Sequence, residues 1–176
     1  MNDSALAKHG LIIFASSGQN GNTAKLRDAF NSIANFDVID LTELDIGFFD
    51  YEHKNKDDDF LPTIEKLVGY EHIVFASPVY WYTMCAQMKI FFDRFSDILS
   101  IEKDLGRKIK AKKAYILATG YDAQPKRSFE EVFVNSFKYL EMSYRGILYA
   151  SCPEGFDLEA NRAKISAFYH EHFAKK

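Results

Sequence analysis

Cysteine is scarce in this chain, with two in 176 residues, Cys85 and Cys152. They form no C-x-x-C pair and show no metal-ligand spacing, so neither a zinc module nor a disulfide scaffold is expected. A reducing compartment follows from that usage. No apolar run approaches the ~20 residues a membrane helix needs. The opening stretch, Met1 to Gly10, is polar and carries no apolar signal region. These absences predict a cytoplasmic protein without a membrane span. An excess of one charge is also missing, with 25 acidic against 22 basic residues and a net charge of −3. A nucleic-acid binder carries a basic stripe. The nearest candidate, Lys103 to Lys113, is accompanied by Glu102 and Asp104 and reads as a solvated turn before a strand. No nucleic-acid partner is expected.

Hydrophobic residues make up 47% of the chain, with 16 Phe and 10 Tyr, which is the composition of a globular core. Short apolar runs alternate with amphipathic stretches throughout. Strands are predicted at Leu11 to Ala15, Phe36 to Leu41, His72 to Ala76, Ala114 to Ala118 and Tyr144 to Ala150. Between them, apolar residues recur at helical spacing. The first helix groups Leu26, Ala29, Phe30 and Ile33. A short one groups Leu61, Ile64, Leu67 and Val68. One strong helix carries Met84, Met88, Phe91, Phe92, Phe95, Ile98 and Leu99. The last two group Phe129 to Leu140 and Leu158 to Tyr169. A long irregular stretch, Thr42 to Phe60, separates the second strand from its helix.

Five strands alternating with five helices, with no linker or repeat, predict a single α/β domain over residues 1–176. Its sheet should be parallel, doubly wound and covered on both faces. Strands one, three and four are the most apolar and should be central. Strand two carries Asp37 and Asp40, and strand five carries Arg145 and Gly146, which suits edges. The order 2-1-3-4-5 follows. In that order a ligand binds beyond the C-terminal strand ends, among the loops after strands one, three and four.

The first of these loops, Ser16 to Thr23, joins a buried strand to a helix N-terminus. Unpaired N–H groups there, with hydroxyl and amide side chains beside them, suit a phosphate. The loop has neither G-x-G-x-x-G nor the Walker lysine pattern, which disfavours a dinucleotide fold or an NTPase. An ordinary turn capped by Asn22 or Thr23 is the plain alternative. The loop after strand three, Ser77 to Tyr82, places three consecutive aromatics, Tyr80-Trp81-Tyr82, at the ligand edge. Aromatic faces and backbone groups there suit a flat ring system. A hydrophobic plug or a subunit interface is the alternative.

The stretch Ser77-Pro78-Val79-Tyr80-Trp81-Tyr82-Thr83-Met84-Cys85-Ala86-Gln87-Met88-Lys89, with Phe92-Asp93-Arg94 after it, resembles the flavin loop and following helix of the NAD(P)H-dependent FMN reductases. Asn20-Gly21-Asn22-Thr23 resembles their phosphate loop. The resemblance implies a flavodoxin-like fold and a bound FMN. Ser16, Gly18, Asn20, Asn22 and Thr23 would surround its phosphate. Pro78, Val79, Tyr80 and Trp81 would border its ring, and Thr119, Gly120 and Tyr121 would approach from the other side. NADH or NADPH would serve as reductant. The acceptor would be a small molecule such as a quinone, flavin, azo or nitro compound or ferric chelate. The site would be completed in a homodimer. No catalytic side chain and no metal ligand is named. Two departures stand out: many relatives have an arginine where Gly18 or Gln19 stands, and no cysteine run for an iron–sulfur cluster follows strand two. The rival reading is a flavodoxin-type electron carrier without its own NAD(P)H turnover, which the near-neutral charge disfavours.

Other polar features read as structural. His170 and His172 suit surface or packing positions. Met84 and Met88 suit packing, and Cys85 suits a small core or pocket residue. Asp57-Asp58-Asp59 reads as a solvated acidic turn near the flavin entrance.

Overall fold

The apolar run Gly10–Phe14 forms β1 of the computed structural model, which describes residues 10–174. The chain continues through α1 (Asn22–Ala34), β2 (Asp37–Asp40), a 3-10 turn at Leu41–Glu43, α2 (Phe60–Leu67) and β3 (His72–Pro78). Then come α3 (Ala86–Asp93), α4 (Phe95–Ser100), α5 (Lys103–Ile109), β4 (Lys113–Gly120), α6 (Arg127–Tyr139), β5 (Ser143–Ser151) and α7 (Leu158–His172). The five strands form one parallel sheet in the order β2-β1-β3-β4-β5, as the strand polarity predicts.

Alternation along each strand divides the interior into two cores. Leu11, Ile13, Ile73, Phe75 and Ile116 face α2 to α6, where Phe60, Phe91, Phe95, Phe133 and Phe137 are buried. Ile12, Phe14, Val74, Tyr115 and Leu117 face α1 and α7, with Leu26, Phe30, Ile165 and Phe168. β1 is buried along its whole length, as a central strand between two helical layers must be. β2 is a partly exposed edge whose Asp37 accepts a 2.6 Å hydrogen bond from the Tyr70 hydroxyl. β5 carries a bulge. Tyr144 pairs with Ala114 and Gly146 with Tyr115, leaving Arg145 unpaired, and Gly146 takes φ +148°.

The structure corrects four expectations. Lys103–Ile109 is helical rather than a solvated turn: Leu105 and Ile109, four apart, bury one face. Gly106 lets that helix press on α4, because a Cβ there would lie 2.3 Å from the Ile98 carbonyl oxygen. The single long helix after β3 is divided at Arg94 into α3 and α4. Ile33 is exposed rather than part of the buried face of α1. Asp58 is not solvated. It binds the fully buried Arg94, whose Nη1 lies 2.5 Å from Asp58 Oδ2.

That same guanidinium donates from Nε to Asp97 Oδ2 at 2.6 Å, from Nη1 to the Gly47 carbonyl at 3.0 Å and from Nη2 to the Asn55 carbonyl at 2.9 Å. It also lies over the Phe60 ring. Arg94 therefore staples the irregular stretch after β2 onto the α3–α4 junction. Burial of Asp58 opposes its ionisation. The Arg94 hydrogen bond and the N–H groups of Phe60 and Gly47 outweigh that, holding its carboxyl below the usual range. Among the described residues no helix is long and apolar enough to cross a membrane.

Candidate functional site

Parallel strands bring the loops after β1, β3 and β4 to one edge of the sheet, where they enclose a cleft of about 380 Å³. That falls within the range of small-ligand sites, roughly 300–1,000 Å³.

The first wall is the turn into α1. Gly21 occupies the N-cap in an extended conformation, and no side chain caps the helix. Its first turn holds no acidic residue, so the partial positive charge of the helix N-terminus is not offset by a carboxylate there. The Ser16 hydroxyl accepts from Gly18 N–H at 3.3 Å, and Gly21 N–H donates to the Gly18 carbonyl at 3.1 Å. Neither Asn22 nor Thr23 acts as the cap. Asn22 Oδ1 instead accepts from Phe156 N–H at 3.0 Å, tying the loop after β5 to the helix and leaving its amide NH₂ for a ligand. The buried hydroxyls of Thr23 and Thr119 lie 2.6 Å apart. Whichever donates, the other retains a hydrogen to offer elsewhere.

The second wall follows β3. Pro78 continues the strand beside β4, but the β1 ladder ends opposite Ala76, so its missing N–H breaks no pairing. Ser77 Oγ accepts from Cys85 N–H and donates to the Pro78 carbonyl, both at 3.0 Å, fixing the path of the loop. Tyr80 and Thr83 exchange backbone hydrogen bonds at 2.9 and 3.1 Å. The turn between them holds Trp81 at φ 46° and Tyr82 at φ 67°. Positive φ at both central positions is a type I′ turn, normally Asn-Gly. Bulky aromatics there are held against their preference, a kind of strain that clusters at ligand sites and switches.

The third wall is the end of β4. Val79 N–H donates to the Thr119 carbonyl, and Cys152 N–H to the Gly120 carbonyl, both at 2.8 Å. Gly120 admits no side chain: a Cβ would lie 2.7 Å from the Tyr149 hydroxyl and 3.3 Å from Val79.

Of the residues singled out in the sequence, Ser16, Gly18, Asn22, Thr23, Pro78, Val79, Tyr80, Thr119, Gly120 and Tyr121 line the cleft. Asn20 and Trp81 do not: both are exposed, Trp81 to 92%. Gly21 and Cys152 join the lining without having been singled out. The place of Gly21 just ahead of the helix was a usable signal. Cys152 comes from the end of β5, a strand whose loop carries no motif. Burial raises the Cys152 thiol pKa, with Lys25 partly opposing, so it is poorly suited to act as a nucleophile. No lining residue carries a formal charge. The Asp57–Asp59 run is absent from the lining. Among the described residues no group of three His, Cys, Asp or Glu side chains is placed to hold a metal ion.

Comparison with known proteins agrees with this geometry. The family model for NADPH-dependent FMN reductase matches residues 10–157. A Bacillus subtilis protein, YwqN, provisionally named an NAD(P)H-dependent FMN-containing oxidoreductase, is 27% identical over 114 residues. That alignment covers 62% of this chain and 63% of the relative's length. Among solved structures, the Trp repressor binding protein from Bacillus subtilis superposes with TM-score 0.73 at 22% identity, covering 95% of this chain and 99% of its own. An NAD(P)H:quinone oxidoreductase from Methanothermobacter marburgensis gives TM-score 0.67 at 17% identity, covering 96% and 98%. At these identities the two superpositions establish the fold.

Proposed function

Because this chain belongs to the NADPH-dependent FMN reductase family, we propose that its cleft holds FMN and that the protein passes electrons from NADH or NADPH to a small organic acceptor. One observation carries the reading: a single uncharged cleft joins an uncapped helix N-terminus and two paired hydroxyls to the aromatic residues Tyr80 and Tyr121.

The residues fit the cofactor. A phosphate needs donors, and the α1 N–H groups, the Asn22 amide, the Ser16 hydroxyl and the one free hydroxyl hydrogen of the Thr23–Thr119 pair supply them without a cation. A flat ring needs a slot, and the glycine at 120 keeps the backbone of β4 open beside Pro78 and Val79. When bound, FMN supplies the redox chemistry, accepting hydride from the nicotinamide and reducing the acceptor. The chain's part is to bind, orient and exclude water. No side chain is needed as acid or base, and none stands charged in the lining. Quinones, free flavins, azo and nitro compounds and ferric chelates are all reachable acceptors for such a site.

We further propose that the working form is a homodimer in a reducing, cytoplasmic setting, where Cys85 and Cys152 remain free thiols. Titration with FMN should produce a stoichiometric complex, and the complex should oxidise a nicotinamide in the presence of a quinone. Absence of FMN binding at near-millimolar concentration would refute the reading.

A further inference from the structure

Where β4 runs out into its loop, β5 engages three successive carbonyls. Cys152 N–H donates to Gly120 at 2.8 Å, the Ser151 hydroxyl to Tyr121 at 3.3 Å and the Tyr149 hydroxyl to Asp122 at 2.8 Å. Tyr149 is buried and lies outside the cleft lining. Its hydroxyl sits against Gly120, where a Cβ would approach it to 2.7 Å. Burial raises the pKa of this phenol, and the nearby Asp122 carboxylate adds to the effect, so it remains a donor at neutral pH.

The carbonyl and the N–H of one trans peptide point in opposite directions, and no cis bond occurs among the described residues. Turning these carbonyls toward β5 therefore turns the N–H groups of Tyr121, Asp122 and Ala123 away from it. β4 lies between β3 and β5. Away from β5 is thus toward Val79 and Tyr80 of the loop after β3, across the cleft. None of the three N–H groups has a hydrogen-bond partner among the described residues. Free donors along one wall of a cleft suit the acceptor atoms at the edge of a flat polar ring.

We propose that Tyr149 and Ser151 are positioning residues for the flavin: by holding the Asp122 and Tyr121 carbonyls toward β5, they aim the N–H groups of Ala123 and Asp122 at its ring. Neither side chain touches the ligand, and each acts through the backbone of the loop. The inference rests on the FMN reading above and assigns the β5 residues that orient one wall of that site.

Tyr149→Phe, which keeps the ring and removes the hydroxyl, tests it. Wild type and variant would be titrated with FMN and with riboflavin, and the midpoint potential of the bound flavin measured. Loss of donors aimed at the ring should weaken both flavins by a similar factor, about tenfold, because the phosphate site is untouched. Donors fixed at the ring also stabilise the negative charge that reduction places on it, so the variant's potential should fall below that of the wild type. Ser151→Ala, at the longer and more exposed bond, should act in the same direction by about two- to threefold. It leaves the buried ring in place and decides the matter if Tyr149→Phe does not fold. Wild-type affinity for both flavins with an unchanged potential would overturn the inference while leaving FMN binding itself standing, even if thermal stability fell. A wild-type protein that binds neither flavin would overturn both.

Discussion

At the scale of single residues, the account turns on hydrogen-bond inventory. Thr23 and Thr119 share one hydrogen bond, leaving one hydroxyl hydrogen for a ligand. Thr23→Val keeps the shape and removes a donor. It should weaken FMN binding by about 1–3 kcal/mol, the range for an unmatched polar group, with folding nearly unchanged. Calorimetric titration reads the first and thermal melting the second. Gly18 offers a complementary gain. A Cβ there meets only Gly21 backbone atoms, at 3.8 Å, so a longer side chain is sterically admitted. Gly18→Arg places a cation where the lining has none and should tighten FMN through a charge-assisted hydrogen bond, about 1.5–3 kcal/mol. An unchanged dissociation constant would argue that the phosphate sits elsewhere. Residue-scale pairing was also the least legible part of the sequence. Asn22 was readable as a polar loop residue, but its bond to Phe156, 134 positions away, was not.

Among the elements, the α3–α4 junction and the irregular stretch after β2 depend on Arg94. With its carboxylates Asp58 and Asp97, it forms a buried ionic cluster. Arg94→Met should cost about 3–5 kcal/mol, because breaking a buried pair leaves uncompensated charge. Chemical denaturation measures that loss. The pH dependence has a definite sign. Asp58 has a folded-state pKa below its ordinary value, so its contribution is present above the ordinary carboxylate pKa and is lost as pH falls through the folded value. Wild-type stability should therefore drop below about pH 4 more steeply than that of Asp58→Asn, which should be less stable at neutral pH. Periodicity exposed most elements, because β1, β3 and β4 are unbroken apolar runs and α1, α6 and α7 keep their spacing. It failed where charge density hid a short helix, as at Lys103–Ile109, whose burial rests on Leu105 and Ile109 alone. It failed again at Asp58, where a surface-looking residue is internal because its partner lies 36 positions later.

For the whole molecule, the sheet joins two aromatic-rich cores, one on each face. We propose that they unfold together as one domain, since every central strand contributes residues to both. Far-ultraviolet circular dichroism and tyrosine absorbance should then give coincident melting curves, and two separated transitions would contradict this. Strand order was legible at this scale, because strand polarity and crossover handedness leave few arrangements. The direction of the aromatic turn was not. Positive φ at Trp81 and Tyr82 is a property of the folded loop, with no Asn or Gly to announce it. The central claim is that the cleft at the sheet edge binds FMN and draws electrons from a nicotinamide unaided. Its most direct test is to load the purified protein with FMN, exclude oxygen, add NADH or NADPH, and follow the visible flavin absorbance. The account predicts bleaching of the bound flavin with no partner protein present, and recovery on adding a quinone. A bound flavin that keeps its absorbance with both nicotinamides would contradict it.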